Sequence, residues 1–175
     1  MYTAAAPTTK DNVASRLFLR YFLFYLAAVC FGVFLAARGV LHFDLHRVGS
    51  FSFAMIPLAL LAGLLTVARP YLLALTAAKA LFDAALLAHM TALIGTGAIG
   101  IFTFNACFLL TAFSLVLFCV AAARACWFAF GSKTKDSALI FSRVFVRYLA
   151  EAVLITALAL SLYFLWPRLA LAIFL

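Results

Sequence analysis

A chain of 175 residues in which 69% are Ala, Val, Ile, Leu, Met, Phe, Trp, Tyr or Cys and 10% are charged cannot cover a water-exposed surface. Its 13 Lys and Arg against 5 Asp and Glu would suit phosphate binding in a soluble protein, but the basic residues stand singly at the ends of apolar runs and form no basic face, which excludes nucleic acid as the partner. The expected solvent is a lipid bilayer, and the expected fold class is an all-α integral membrane protein.

Residues 1–16 are polar and short and read as an inner-side N-terminus, leaving 17–175 as a single transmembrane helical domain. Crossing roughly 30 Å of hydrocarbon takes about 20 helical residues. Runs of that kind lie at 17–37, 51–68, 71–93, 99–123 and 138–165, so a bundle of about five helices is predicted. The runs are apolar all round and do not alternate with period two, which excludes barrel strands. Arg69-Pro70 is the only break between the second and third runs, and one long kinked helix is the competing reading there. Trp166, Pro167 and Arg168 read as an interfacial stop.

Basic residues flanking the runs set the direction. With the N-terminus inside and the C-terminus outside, Lys10, Arg16, Arg20, Arg69, Arg124, Lys133, Lys135, Arg143 and Arg147 fall on the inner side, and Arg38, Arg47 and Arg168 on the outer. The expected location is the cell's inner or plasma membrane, with an organellar membrane as the alternative. Ser15-Arg-Leu-Phe-Leu-Arg-Tyr21 recurs as Ser142-Arg-Val-Phe-Val-Arg-Tyr148. In both copies the arginines are four apart, so Arg16 with Arg20 and Arg143 with Arg147 form two stripes suited to anionic lipid head groups or an acidic partner.

Lipid tails are as apolar as leucine, so helices must associate through close backbone approach and polar contacts. Small residues four apart supply candidate seams: Ala28, Gly32 and Ala36; Ala59 and Gly63; Ala80, Ala84 and Ala88. Asn105, with Thr103 beside it, is expected to hydrogen-bond between helices. Lys79 and Asp83, one turn apart in the third run, would each cost about 2.5–3.5 kcal/mol at the bilayer centre if alone, so they are expected to pair and to face protein or water. Arg147 and Glu151 form a second such pair in the fifth run.

His42, His46 and His89 fall on one side of this map and could together ligate a metal or haem, but no recognisable ligand spacing accompanies them and no cofactor is expected. Gly95-Thr-Gly-Ala-Ile-Gly100 matches the dinucleotide letters GxGxxG without the preceding strand or following acid, and reads as a tight helical hairpin. Paired carboxylates and nucleophile motifs are absent, so the protein is not read as an enzyme. The segment 49–65, with Pro70 and Asp83 beyond it, is loosely similar to an early membrane segment in the substrate-binding subunits of energy-coupling-factor vitamin transporters. Those subunits are richer in glycine and have six helices, where five are predicted for this sequence.

The expected function is a non-enzymatic subunit docked among other membrane subunits through its seams and charge pairs. The alternative is a solute or ion transport component, such as a substrate-binding transporter subunit, with Lys79 and Asp83 lining the route. A haem or metal redox subunit is a third reading.

Overall fold

The computed structural model describes residues 9–39, 45–65, 68–132 and 143–174. They form five helices: α1 (Thr9–Ala37), α2 (Leu45–Ala62), α3 (Ala68–Gly95), α4 (Ile101–Ser132) and α5 (Arg143–Phe174). Four of these carry stretches long and apolar enough to cross a bilayer, namely Ser15–Ala37, Ala68–Gly95, Ile101–Ala129 and Val144–Trp166. The apolar part of α2, Ser50–Ala62, is shorter than these.

The helices reach beyond the predicted runs, with α1 starting at Thr9 inside the expected polar N-terminus, α2 at Leu45 and α4 ending at Ser132, and two further boundaries differ from the sequence expectation. The second and third runs are separate helices, but Arg69-Pro70 lies inside the first turn of α3, where a proline gives up no hydrogen bond. The break comes earlier: α2 ends in a tightened turn in which the amides of Gly63, Leu64 and Leu65 donate to the carbonyls of Leu60, Leu61 and Ala62. The second correction is at Trp166-Pro167, which does not stop α5. The helix runs on to Phe174, and Trp166 is fully buried with its ring edge-on to Phe53, 6.0 Å between centroids.

In every helix a series of buried positions recurs at steps of four and three, or of seven. They are Tyr21, Tyr25 and Gly32 in α1; Ser52, Ile56, Ala59 and Gly63 in α2; Leu72, Thr76, Lys79, Asp83, Leu86 and Met90 in α3. In α4 the series runs through Cys107, Thr111, Ser114, Phe118, Ala121, Ala125 and Phe128, and in α5 through Tyr148, Ile155, Ala159, Leu162 and Trp166. This spacing of about 3.5 residues is that of a seam along which one helix face packs against its neighbours. Large apolar side chains occupy the outside instead, with Phe102 93% exposed and Val153 and Phe164 67% exposed. Large apolar side chains thus cover the outside as well as the core, and Lys79, Asp83, Ser52 and Ser114 lie inside, unlike in a water-soluble bundle.

Contacts between named residues fix the helix directions. Ser52 and Gly63 of α2 meet, in the same order, the levels of Ser114 and Ala125 in α4, so those two helices run the same way. Phe53 meets Trp166 and Leu60 meets Tyr148, so α5 runs against α2; Arg124 meeting Glu151 sets it against α4 as well. Tyr21 lies near Arg69 and Gly32 against Leu81 and Ala84, so α1 runs with α3. α2 is packed on three sides by α3, α4 and α5, while α1 lies on α3 and α4.

Two of the small-residue seams prove to be halves of one contact. A methyl on Gly32 would stand 2.7 Å from Cβ of Ala84, so the first and third seams bring α1 and α3 together. Gly63 instead packs on α4, where an added Cβ would stand 2.8 Å from the Cα of Ala125 and overlap the Tyr148 hydroxyl. That hydroxyl donates to the Leu60 carbonyl at 2.6 Å, an acceptor at the end of α2, and the Tyr148 ring stacks on Phe128 at 4.3 Å. Tyr148→Phe keeps the stacked ring and removes only the hydrogen bond. It should cost about 1 kcal/mol, read as a lower midpoint in a denaturing-detergent titration; an unchanged midpoint would show that the bond contributes nothing.

The α3–α4 hairpin explains the glycine-rich hexamer. Gly97 takes φ 71°, its amide donates to the Ile94 carbonyl at 2.9 Å, and the Ala98 amide reaches back to Leu93 at 2.9 Å. This is a left-handed helix cap that stops α3 and turns the chain into α4. The same letters therefore serve a turn and cradle no phosphate.

Candidate functional site

The polar centre of the bundle is built on α3. Lys79 and Asp83 are both fully buried and form an ion pair, 2.9 Å from Nζ to Oδ2. Their position on the seam of α3 turns both toward the neighbouring helices, and each neighbour answers with a hydroxyl.

From α2, the Ser52 hydroxyl donates to Asp83 Oδ1 at 2.5 Å and accepts from Lys79 Nζ at 2.8 Å. From α4, the Ser114 hydroxyl accepts from Lys79 at 2.9 Å and donates to the Thr111 carbonyl at 3.0 Å. From α1, Tyr25 donates to Asp83 Oδ2 at 2.5 Å. The ammonium thus places its three N–H groups on Asp83, Ser52 and Ser114, and both carboxylate oxygens are taken. The Phe118 ring lies 6.0 Å from Nζ, a further electrostatic contact for the cation.

Such a pair is tolerable in a dry interior only when its remaining donors and acceptors are satisfied, and here they are. The one buried side-chain polar atom without a partner among the described residues is Nε1 of Trp166, outside this network. The centre joins α1, α2, α3 and α4 and leaves neither charge an open valence.

The second pair, Arg147 with Glu151, lies at the start of α5 with Nε 3.1 Å from Oε1. The opposite carboxylate oxygen faces Arg124 of α4 at 3.4 Å, a partner the sequence did not indicate. Arg16 and Arg20 of the other arginine stripe are exposed on α1, while the side chain of Arg143 lies outside the described part. In both copies of the repeated motif the tyrosine turns inward onto α4: Tyr21 reaches Cys126, and Tyr148 stacks on Phe128.

Asn105 and Thr103 do not act as the expected helix-to-helix contacts. Asn105 faces outward, and neither side chain makes a hydrogen bond among the described residues. Thr76 and Thr111 bond back to carbonyls of their own helices, so the joining is done by Ser52, Ser114 and Tyr25. His89 is exposed near the end of α3; His42 lies outside the described residues, as does the side chain of His46. Among the described residues no three of His, Cys, Asp and Glu come close enough to hold a metal ion, and the four cysteines are free.

No family model, curated protein or solved structure matches this chain. The local likeness of 49–65 to the vitamin-transporter subunits therefore has no family-level similarity behind it.

Proposed function

We propose that this chain is a non-catalytic multi-pass membrane protein that serves as a helical subunit of a larger membrane assembly. The reading takes five crossings, N-terminus inside and C-terminus outside, with α2 as the shortest; the alternating helix directions and the basic residues Arg69, Arg124 and Arg147 at one end support it. The inner or plasma membrane is the compartment this reading adopts. Reporters fused to the two termini are expected on opposite sides of the membrane, and a same-side result would discard the map.

The observation that carries the subunit reading is the saturation of the Lys79–Asp83 centre. Its donors and acceptors are spent on holding four helices, which suits a rigid framework better than a route for a solute. Docking is supported by Asn105, a lone exposed amide in a stripe with Phe102, Leu109, Phe113 and Val116. An unpaired amide facing hydrocarbon is unfavourable, and a helix of a partner subunit can satisfy it.

A photo-crosslinker at Leu109, beside Asn105, should yield a discrete protein adduct in native membranes, whereas one at Leu154 on α5 should yield lipid adducts. Lipid adducts alone at both positions would defeat the docking reading. The transport alternative keeps one observation in its favour, a buried charge pair at mid-bundle, and a charge-neutral Lys79→Leu, Asp83→Leu double variant separates the two. Retained assembly with lost uptake of a solute would establish transport.

A further inference from the structure

Glu151 collects one arginine from each of two antiparallel helices. Oε1 takes Nε of Arg147 at 3.1 Å and Oε2 faces Nε of Arg124 at 3.4 Å. Both arginines engage through Nε, and their Nη groups make no hydrogen bond to another described residue. A guanidinium is a planar fork of five donors, so fixing its Nε edge leaves the terminal edge oriented and available for a phosphate. Two cations share one carboxylate, and the cluster stays positive.

Its surroundings select the source of that phosphate. Arg147 is 77% exposed and Arg124 39%, yet both lie inside apolar spans, Val144–Trp166 and Ile101–Ala129. Exposed Val144, Val146 and Leu149 surround Arg147, and the partly exposed Trp127 sits one turn beyond Arg124, as an aromatic at head-group depth does. A free anion would find its site walled by hydrocarbon-loving side chains. A phospholipid lays its acyl chains along those residues and brings its phosphate to the forks.

We infer that Arg124 and Arg147, positioned by Glu151, form a seat for the phosphodiester of an anionic phospholipid. The seat rests on the bilayer reading above, and Arg16, Arg20 and Arg69, all exposed, enrich the same leaflet in anionic lipid.

The test is lipid retention by native mass spectrometry, after release from nanodiscs of phosphatidylcholine with a minor fraction of phosphatidylglycerol. The wild-type chain should retain phosphatidylglycerol in preference to phosphatidylcholine. Arg124→Gln and Arg147→Gln should each lower that preference roughly fivefold, the factor equivalent to one basic side chain at the membrane surface. Arg38→Gln, at the opposite end of the bundle, should leave it unchanged.

Arg124→Lys keeps the charge and the contact with Glu151 but loses the fork, so it should lose most of the preference; it also serves if the glutamine variants fail to fold. Glu151→Gln discriminates further. General attraction predicts stronger retention as the net charge rises, whereas a positioned seat predicts weaker retention. Stronger retention, unchanged preference in the arginine variants, displacement of the lipid by inorganic phosphate, or an acidic peptide in its place would overturn the proposal. Equal retention of the two lipids by a protein that still requires micelles defeats only the seat, while a chain monodisperse in water without detergent defeats the bilayer reading itself.

Discussion

Asp83→Leu alone should destabilise the bundle by about 3–5 kcal/mol, because it strands the fully buried Lys79 ammonium without its counter-charge and leaves Ser52 and Tyr25 without their acceptor. Lys79→Met combined with Asp83→Leu removes both charges at similar volume and should recover most of that loss. The Tyr25 hydroxyl still lacks a partner in the double variant, so adding Tyr25→Phe should bring stability within about 1 kcal/mol of the wild type. Ser52 needs no such repair, since a helical serine can bond back to a carbonyl of its own preceding turn. Equilibrium unfolding in mixed micelles reads all three. If Asp83→Leu proves no worse than the double replacement, the pair is not coupled and the centre does not hold the helices.

The second large effect is expected at the glycines, and it differs between them. Gly32→Ala brings a methyl to 2.7 Å from the Ala84 Cβ, and Gly63→Ala brings one to 2.8 Å from the Ala125 Cα. Each should cost about 1–3 kcal/mol through forced separation of the helices. Ala84→Gly should rescue Gly32→Ala, because the obstructing atom is a side-chain methyl. Ala125→Gly should fail to rescue Gly63→Ala, because backbone and the Tyr148 hydroxyl still occupy the space. Unfolding midpoints for the four variants decide this, and equal rescue at both sites would show that the close approaches are not the source of stability.

The sequence carried the α3 pair because both residues belong to one helix, and spacing of four suffices to place them on one face. Tyr25, Ser52 and Ser114 were not legible in the same way. A hydroxyl in an apolar run bonds equally well to its own backbone, as Thr76 and Thr111 do here, and only the tertiary register distinguishes the two cases. The clue available was the seam itself, since Tyr21, Tyr25, Ser52, Lys79, Asp83, Ser114 and Tyr148 all lie on the steps of four and three that become buried.

Arg124 shows the same limit. Arg147 and Glu151 share a helix, while their third member comes from α4. The end of α2 was hidden because Gly63-Leu-Leu continues the apolar run, so hydropathy changes only at Arg69, six residues too late. Trp166 misled for the opposite reason. Its amphipathic ring suits a head-group layer, but the seam of α5 draws it inward against Phe53.

The brevity of α2 bears on how the protein is made. An apolar stretch such as Ser50–Ala62 rises about 20 Å, well short of the hydrocarbon layer, and Pro57 within it removes a further backbone donor. A segment of that kind partitions poorly from the translocon by itself. On the five-crossing reading it is expected to enter the membrane as a hairpin with α3, whose Lys79 and Asp83 are in turn satisfied by Ser52. The short α2 and the charged turn of α3 thus depend on each other for a stable place in the bundle, so a chain halted between them, held by the apolar stretch of α1, lacks the partner that α2 needs.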